Sequence, residues 1–182
     1  NYWGIKTLVI TGNGEPTENF PLMSETISAA HACAMSTIMF TTAARLDTKQ
    51  ARFYATHNVS VIVSLDSLNP HIYRWLTGNG DLEKVLENIR GLREVYGEYP
   101  AGSVNGKNVL RLGVNVTVSR QNIGELSTIR DFCGSDMQLV ANPPMRRGRL
   151  QKNRQWSRIV NEDSKLEPAY ESLEAAAQEF SS

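Results

Sequence analysis

The chain has 182 residues, 41% of them hydrophobic and 21% charged, proportions that indicate an ordinary globular protein rather than a disordered or fibrous one. Its 19 Lys and Arg residues balance its 19 Asp and Glu residues, so it lacks the overall positive charge that is typical of nucleic-acid or anionic-membrane binding. No apolar run reaches the length of a membrane span and no signal-peptide pattern opens the chain, which predicts a cytoplasmic protein with neither a membrane nor a nucleic-acid partner.

Apolar runs alternate with segments of helical periodicity along most of the chain. Runs rich in Val, Ile, Leu or Thr predict five strands, over residues 7–11, 37–41, 60–66, 109–117 and 137–142. Helical spacing predicts a helix over 22–33 and another after an N-cap at Asp81, with two more capped by Asp47 and Asn122 and a last one after Pro168. Helical crossovers join parallel strands, because an antiparallel neighbour would need only a hairpin.

The predicted strands have two unlike faces. In the third strand Val61, Val63 and Leu65 alternate with Ile62, Ser64 and Asp66, and in the second Ile38 and Phe40 alternate with Thr37, Met39 and Thr41. If the apolar faces meet the helices, the other faces line a common interior that grows polar toward the carboxyl ends of the strands. This pattern predicts a barrel that holds a polar ligand. The alternative is a one-sided sheet with its polar face in water.

A glycine-rich loop, Thr11-Gly12-Asn13-Gly14-Glu15-Pro16-Thr17, stands where the first predicted strand ends. It lacks the Gly-Lys-Ser/Thr ending of a phosphate-binding P-loop. It also departs from the G-x-G-x-x-G dinucleotide pattern, because Pro16 and Thr17 occupy the last two positions. Both familiar nucleotide-binding motifs are therefore disfavoured.

The segment Asn13-Gly14-Glu15-Pro16 resembles the Gly-Gly-Glu-Pro motif at the end of the second barrel strand of radical S-adenosylmethionine (SAM) enzymes, with Asn in place of the first Gly. The resemblance continues in register through Thr41-Thr42, Val63-Ser64-Leu65-Asp66-Ser67, His71, Arg74 and Gly78, Gly113-Val114-Asn115-Val116-Thr117, Asn122, Glu125-Leu126 and Ala141-Asn142. Two departures are the missing Asn-Gly after Thr41 and Gly113 where some members carry Lys; Arg111 is a candidate replacement for that cation.

The resemblance implies a fold and a cofactor site. The fold would be α/β, a partial parallel (β/α)6 barrel of the TIM type with strands two to six present and the first missing, over residues 1–142, followed by a last loop and helical extension over 143–182. The cofactor-binding residues would be Gly12, Asn13, Gly14, Glu15, Pro16, Thr41, Ser64, Asp66, Asn115, Ala141 and Asn142. In that role the Gly carbonyl and Glu15 accept from the methionine ammonium, Ser64 donates to the carboxylate or ribose, and Ala141 and Asn142 offer backbone groups to adenine. Taken singly, these side chains could instead cap a helix, satisfy backbone groups or begin a turn.

The family implies a 4Fe–4S cluster that cleaves SAM to a 5′-deoxyadenosyl radical, with a flavodoxin or ferredoxin as electron donor and a peptide or small molecule as substrate. Its C-x3-C-x2-C motif is absent here, because Cys33 and Cys133 are the only cysteines. We expect the missing strand and its cysteines to precede Asn1. The alternatives are a cluster-free barrel that binds SAM or a protein partner, and an aldolase-like barrel, which lacks a strand-end Lys. The basic residues between Arg146 and Arg158 favour a solvated loop over a phosphate or substrate clamp.

Overall fold

The computed structural model describes residues 4–12 and 14–143. The strands are β1 (Thr7–Ile10), β2 (Ser36–Thr41), β3 (Val59–Ser64), β4 (Gly102–Val104), β5 (Lys107–Val109), β6 (Leu112–Thr117) and β7 (Gln138–Asn142). The helices are α1 (Phe20–Ala32), α2 (Thr48–Thr56), α3 (Pro70–Thr77), α4 (Leu82–Gly97) and α5 (Leu126–Cys133). The predicted helix after Pro168 and the basic segment lie outside the described residues.

Five strands form one parallel sheet in the order β1-β2-β3-β6-β7, so strands that follow one another along the chain are neighbours in space. Each connection within this sheet contains at least one helix, as parallel pairing requires. The predicted fold class, an α/β open partial barrel with a parallel sheet, is confirmed. Within the described residues, no helix combines the length and apolarity needed to cross a membrane.

The helix boundaries follow the capping residues, with one exception. Asp47 and the third residue of α2, Gln50, form a capping box, and the Asp81 side chain accepts from the backbone N–H of Lys84 at 3.1 Å. The predicted cap at Asn122 is wrong, since its side chain makes no capping bond to α5. The short helix α3, capped by Asn69, is an element that apolar periodicity did not predict.

The predicted strand over 109–117 is two separate elements. β4 and β5 form an antiparallel hairpin whose turn contains Asn105 and Gly106 at φ values of 51° and 77°. An Asn-Gly pair with both residues at positive φ is the commonest chemistry of a two-residue hairpin, and this signal in the sequence was missed. Only Leu112–Thr117 joins the main sheet, as β6.

The helices cover one face of the sheet. That face carries the main hydrophobic core, in which Val61, Val63, Leu112, Val114 and helix residues such as Ile89 and Ile129 are at most 1% exposed. The opposite face, called the open face below, is partly exposed. Residues paired across parallel strands lie on the same face, so the register assigns every strand residue to one face or the other.

This register corrects the predicted orientation of β2. Thr41 pairs with Val63 and Met39 with Val61, so Thr37, Met39 and Thr41 lie on the helix-covered face. Ile38 and Phe40 lie on the open face instead. The reason lies in the tertiary structure. The strongly apolar face of β3 packs against the helices, and the β2 residues that pair with that face, including the two threonines, therefore lie on the same side. The floor of the open face is consequently more apolar than the sequence predicts.

Candidate functional site

The glycine-rich loop leaves β1 at its carboxyl end. Gly12 and Gly14 adopt φ values of 135° and 131°, a region that residues with a Cβ rarely enter, and both are exposed. Pro16 begins a short 3₁₀ turn, Pro16–Asn19, that leads into α1. Asn13 lies outside the described residues. The loop therefore presents exposed backbone at the tip of β1, where a ligand can approach closely.

The Glu15 carboxylate joins the loops that follow β1 and β2. Its Oε1 accepts from the backbone N–H and hydroxyl of Thr17 at 3.2 and 2.7 Å and from the Thr41 hydroxyl. Its Oε2 accepts from the backbone N–H and hydroxyl of Thr42 at 2.8 and 2.7 Å. Desolvation, the largest single effect, opposes ionisation, yet the bonds from Thr41, Thr42 and Thr17 together lower the pKa of Glu15 below its ordinary value.

Five donors fill the acceptor capacity of one carboxylate, which has about four lone-pair sites, so that at least one site is shared between two donors. Glu15 also caps the turn that follows it, so the capping interpretation of this residue is confirmed. A ligand ammonium would then be held by carbonyl groups of the loop more readily than by Glu15 itself. The carboxylate sets the position of the loop.

Thr41 is 3% exposed on the helix-covered face, and its hydroxyl donates to Glu15 and accepts from the Ala43 N–H at 2.9 Å. This geometry is a correction to Thr41 as a direct cofactor contact. Thr42, one residue later, is exposed and follows Phe40 on the open side of the chain. The sequence pattern located the loop but assigned the exposed position to the wrong threonine, because it assigned the faces of β2 the wrong way round.

Ser64, Asn115 and Asn142 form a polar row on the open face. Ser64 pairs with Asn115 in the register of β3 and β6, and the Asn142 Nδ2 donates to the Asn115 Oδ1 at 2.6 Å. The Ser64 hydroxyl makes no hydrogen bond to another described residue. Because the Asn115 Oδ1 is already engaged, its Nδ2 is the group left as a donor. The row therefore offers two hydrogen-bond donors, from Ser64 and Asn115, at neighbouring strand tips.

Asp66 lies beyond the end of β3, and one of its carboxylate oxygens accepts from the Thr117 N–H at 2.7 Å. Desolvation raises the pKa of Asp66, and its hydrogen bonds from Thr117 only partly oppose the rise. Asp66 thus holds the tips of β3 and β6 together. Its second oxygen remains an acceptor for a ligand.

Asn122 joins the same two strand ends from within the protein interior. It is fully buried, and its Nδ2 donates to the backbone carbonyls of Asp66 and Thr117 at 2.6 and 2.9 Å. Its Oδ1 accepts from the N–H and hydroxyl of Ser119 at 2.7 and 3.1 Å. All the hydrogen-bonding groups of the amide are used within the protein, so Asn122 positions the site and does not contact a ligand.

Glu125 fastens the loop after β3. Its carboxylate accepts from the Ser67 hydroxyl at 2.9 Å and from the backbone N–H groups of Leu68 and Asn69 at 2.8 and 3.2 Å. The Asn-x-x-Glu spacing was visible in the sequence, but these partners lie more than fifty residues away along the chain. Asn122 and Glu125 are therefore supporting residues that sequence reasoning matched to a family without assigning them this role.

The tip of β7 offers backbone rather than side-chain groups. The Asn142 carbonyl accepts from the Val118 N–H at 2.8 Å, so it is already used within the sheet. β7 is an edge of the described sheet, and alternate residues such as Ala141 direct their backbone groups away from β6. Of the two residues expected to meet adenine, Ala141 is the one whose backbone geometry fits.

The predicted compensation of Gly113 by Arg111 does not fit the geometry. A Cβ on Gly113 would stand 3.0 Å from the Ile62 side chain and 3.0 Å from the Gln138 carbonyl, so a lysine there would fit only if these neighbours moved. Arg111 precedes β6 and lies four residues before Asn115, or roughly 13 Å along a strand. It therefore lies toward the opposite end of the strand from the site.

The cysteines of this chain do not fit an iron–sulfur cluster. Cys33 is the residue that caps the end of α1 and Cys133 is the last residue of α5, and these helices lead into β2 and β7. Both cysteines consequently lie toward the amino-terminal edge of the sheet, opposite the strand tips. Burial raises the pKa of the Cys133 thiol to about 11, which disfavours the thiolate that a metal needs. The described residues contain no group of three or more His, Cys, Asp or Glu arranged for a metal.

Comparison with known proteins gives one sequence match and several fold matches, whereas no family model matches the chain. A probable GTP 3′,8-cyclase of Methanocaldococcus jannaschii is 32% identical over 89 residues, which are 47% of this chain and 26% of that protein. The chain thus spans about a quarter of this curated relative.

Two solved structures share the fold. Coproporphyrinogen III oxidase from Escherichia coli, described as a radical SAM enzyme, matches 95% of this chain and 40% of its own with a TM-score of 0.60 and 11% identity. A structure of anSMEcpe with bound AdoMet and a Kp18Cys peptide matches 78% of this chain and 39% of its own, with a TM-score of 0.56 and 12% identity. Sequence and fold together confirm that this chain resembles the core domain of radical SAM enzymes and has part of their parallel barrel.

Proposed function

We propose that this chain is the SAM-binding part of a radical SAM enzyme. The observation that carries the proposal is the polar row formed by Ser64, Asn115 and Asn142, which lies on the open face of a parallel sheet beside a glycine-rich loop. Ligands of parallel α/β folds bind at the carboxyl ends of the strands, where these residues converge.

Each group has a chemical role in this proposal. The exposed carbonyls of the loop around Gly12 and Gly14 accept from the methionine ammonium. The donors on Ser64 and Asn115 meet the methionine carboxylate or the ribose, and the free oxygen of Asp66 accepts from a hydroxyl. The edge backbone at Ala141 pairs with adenine. Asn13 and Pro16 complete the loop, with Pro16 stiffening its exit from the strand.

A 4Fe–4S cluster would be held by cysteines from sequence outside residues 1–182, and it would supply the electron for the reductive cleavage of SAM to a 5′-deoxyadenosyl radical. The electron donor would be a flavodoxin or ferredoxin. This chain's own residues bind and orient the cofactor and exclude water. The substrate would be a peptide or a small molecule; the relatives' names include a nucleotide cyclase and a peptide complex, which supports both classes without choosing between them.

Calorimetric titration of SAM into the chain tests the cofactor assignment. We expect Ser64→Ala and Asn115→Ala each to weaken binding about fivefold, the value of one neutral hydrogen bond. Ser103→Ala, on the exposed hairpin strand β4, is the matched control and should bind as the wild type does. Equal affinity in all four proteins would refute the site.

The placement of Cys33 and Cys133 away from the strand tips favours a second candidate, a barrel that binds SAM without a cluster. Anaerobic reconstitution of the polypeptide encoded by the complete gene, followed by electron paramagnetic resonance, separates the two. A signal from a reduced 4Fe–4S cluster that changes on addition of SAM supports the enzyme. SAM binding without any cluster signal supports the binding module.

A further inference from the structure

A cavity adjoins the polar row at Ser64. It has a volume of about 440 Å³ and lies between the strand tips of β2 and β3 and the connection from α3 to α4. Its polar lining includes Ser64, Asp66, Tyr73 and Asp81 together with Thr42, Thr77 and Asn79, and Leu76 is among its apolar residues. This volume is within the range of small-molecule pockets. None of its described lining residues is Lys, Arg or His.

Tyr73 is the feature that indicates a ligand. It is only 3% exposed, it lines the cavity, and its hydroxyl makes no hydrogen bond to another described residue. A phenol hydroxyl that reaches a cavity and has no protein partner is open to a ligand or to water there. The carboxylates of Asp66 and Asp81 lie close enough to contribute to raising the pKa of this tyrosine, after desolvation. The Tyr73 hydroxyl is therefore close enough to the Asp66 and Asp81 carboxylates to be influenced by their charge.

The outer wall of the cavity depends on Gly80. The Gly80 N–H donates to the Thr77 hydroxyl at 3.0 Å, and that hydroxyl donates to the Tyr73 carbonyl at 2.8 Å. A Cβ on Gly80 would come within 2.5 Å of the Tyr73 ring. Only a glycine allows the connection from α3 to α4 to pack against the Tyr73 ring at this distance. The outer wall is therefore defined by specific contacts.

We propose that this cavity binds an alkylammonium group of the substrate. Two carboxylates, an unpartnered phenol and the absence of a cation in the described lining favour a positively charged donor over an anion or an apolar group. The cavity shares Ser64 and Asp66 with the cofactor site, so an ammonium bound here would hold a substrate beside SAM. The prediction that the cavity binds an ammonium group depends only on the cavity. Its identification as a substrate site rests on the proposed function.

Titration of ¹⁵N-labelled chain with n-butylammonium, observed at the backbone amides of Tyr73 and Gly80, tests the proposal. We expect saturable shifts with a dissociation constant on the order of millimolar, as befits a ligand of five heavy atoms. The neutral isostere 1-butanol should bind at least about tenfold more weakly, because it lacks the charge that strengthens each hydrogen bond. Butyrate should give no saturable shift. Equal binding of butanol and butylammonium would overturn the proposal.

Variants locate the binding to the cavity. Tyr73→Phe should weaken butylammonium about fivefold and Asp81→Asn about tenfold. Asparagine also caps helices well, so Asp81→Asn preserves the start of α4. Tyr99→Phe is the matched control, since Tyr99 does not line the cavity. Unchanged affinity in Tyr73→Phe and Asp81→Asn would refute the assignment; if either variant unfolds, the comparison of butylammonium with butanol on the wild type decides.

The cofactor proposal and the cavity can fail separately. SAM should bind Tyr73→Phe as it binds the wild type, because Tyr73 is not a contact of the proposed cofactor site. A loss of SAM affinity in Tyr73→Phe as large as the loss for butylammonium would mean that SAM itself occupies the cavity, which would overturn the substrate assignment. Saturable butylammonium binding in a chain that does not bind SAM would refute the proposed function and leave the cavity as an amine-binding site.

Discussion

Replacing Asn122 by alanine would remove the buried amide that joins the ends of β3 and β6. Four hydrogen bonds are lost, and the carbonyls of Asp66 and Thr117 and the N–H of Ser119 are left in a site that is closed to solvent. With about 1 kcal/mol for each bond, and more for a buried group left unpaired, we expect a loss of about 3–5 kcal/mol in the free energy of unfolding. That is a large part of the total stability of a typical domain, about 5–15 kcal/mol.

Urea denaturation followed by circular dichroism measures this loss. The midpoint should fall by about 2 M with little change in the slope, because the same surface is exposed on unfolding. Asn108→Ala, on the exposed strand β5, is the control and should change the free energy by less than about 0.5 kcal/mol. Asn122→Asp should lose at least as much as Asn122→Ala at neutral pH, since it places a carboxylate against two carbonyl oxygens. A loss below about 1 kcal/mol for Asn122→Ala would refute the conclusion that Asn122 joins the ends of β3 and β6.

Three further predictions concern the sheet and its loops. Glu15 has a lowered pKa, so its stabilisation is fully present above its ordinary value of 4.5 and is lost as the pH falls through the folded value. Glu15→Gln should therefore cost about 1 kcal/mol at pH 7 and progressively less as the pH falls below 4.5, as measured by urea unfolding over a series of pH values. Gly113→Ala should destabilise by about 1–3 kcal/mol in thermal unfolding, because its Cβ meets the Ile62 side chain at 3.0 Å, whereas an unchanged melting temperature would show that this contact relaxes freely. Tyr96→Phe should cost about 1–2 kcal/mol, since the buried hydroxyl donates to the Val59 carbonyl at 2.9 Å, and a neutral result in the same assay would contradict that value.

The supporting residues explain why so much of this site is already internally bonded. Glu15 joins the first two loops, and Asp66 with Asn122 and Glu125 joins the loops after β3 and β6. A ligand site needs its contact groups held in place by a second set of residues. Here Ser64 and Asn115 keep free donors, and the carboxylates around them hold the loops.

Local chemistry in the sequence was enough to predict much of the fold. The parallel order, the caps at Asp47 and Asp81 and the location of all five sheet strands follow from short-range patterns, because capping and strand-forming preferences act between residues near in sequence. The polar strand tips at Ser64 and Asn115 were likewise identified from alternation along single strands.

Tertiary structure alone decided which face of β2 meets the helices, and hence that Thr41 is buried while Thr42 is exposed. A strand with mixed faces has no strong preference of its own, so its orientation is set by pairing with the strongly apolar β3. The partners of Asn122 and Glu125 and the cavity that Gly80 closes over Tyr73 are equally products of long-range packing. Sequence spacing cannot specify such contacts, because they form only when the chain brings distant segments together.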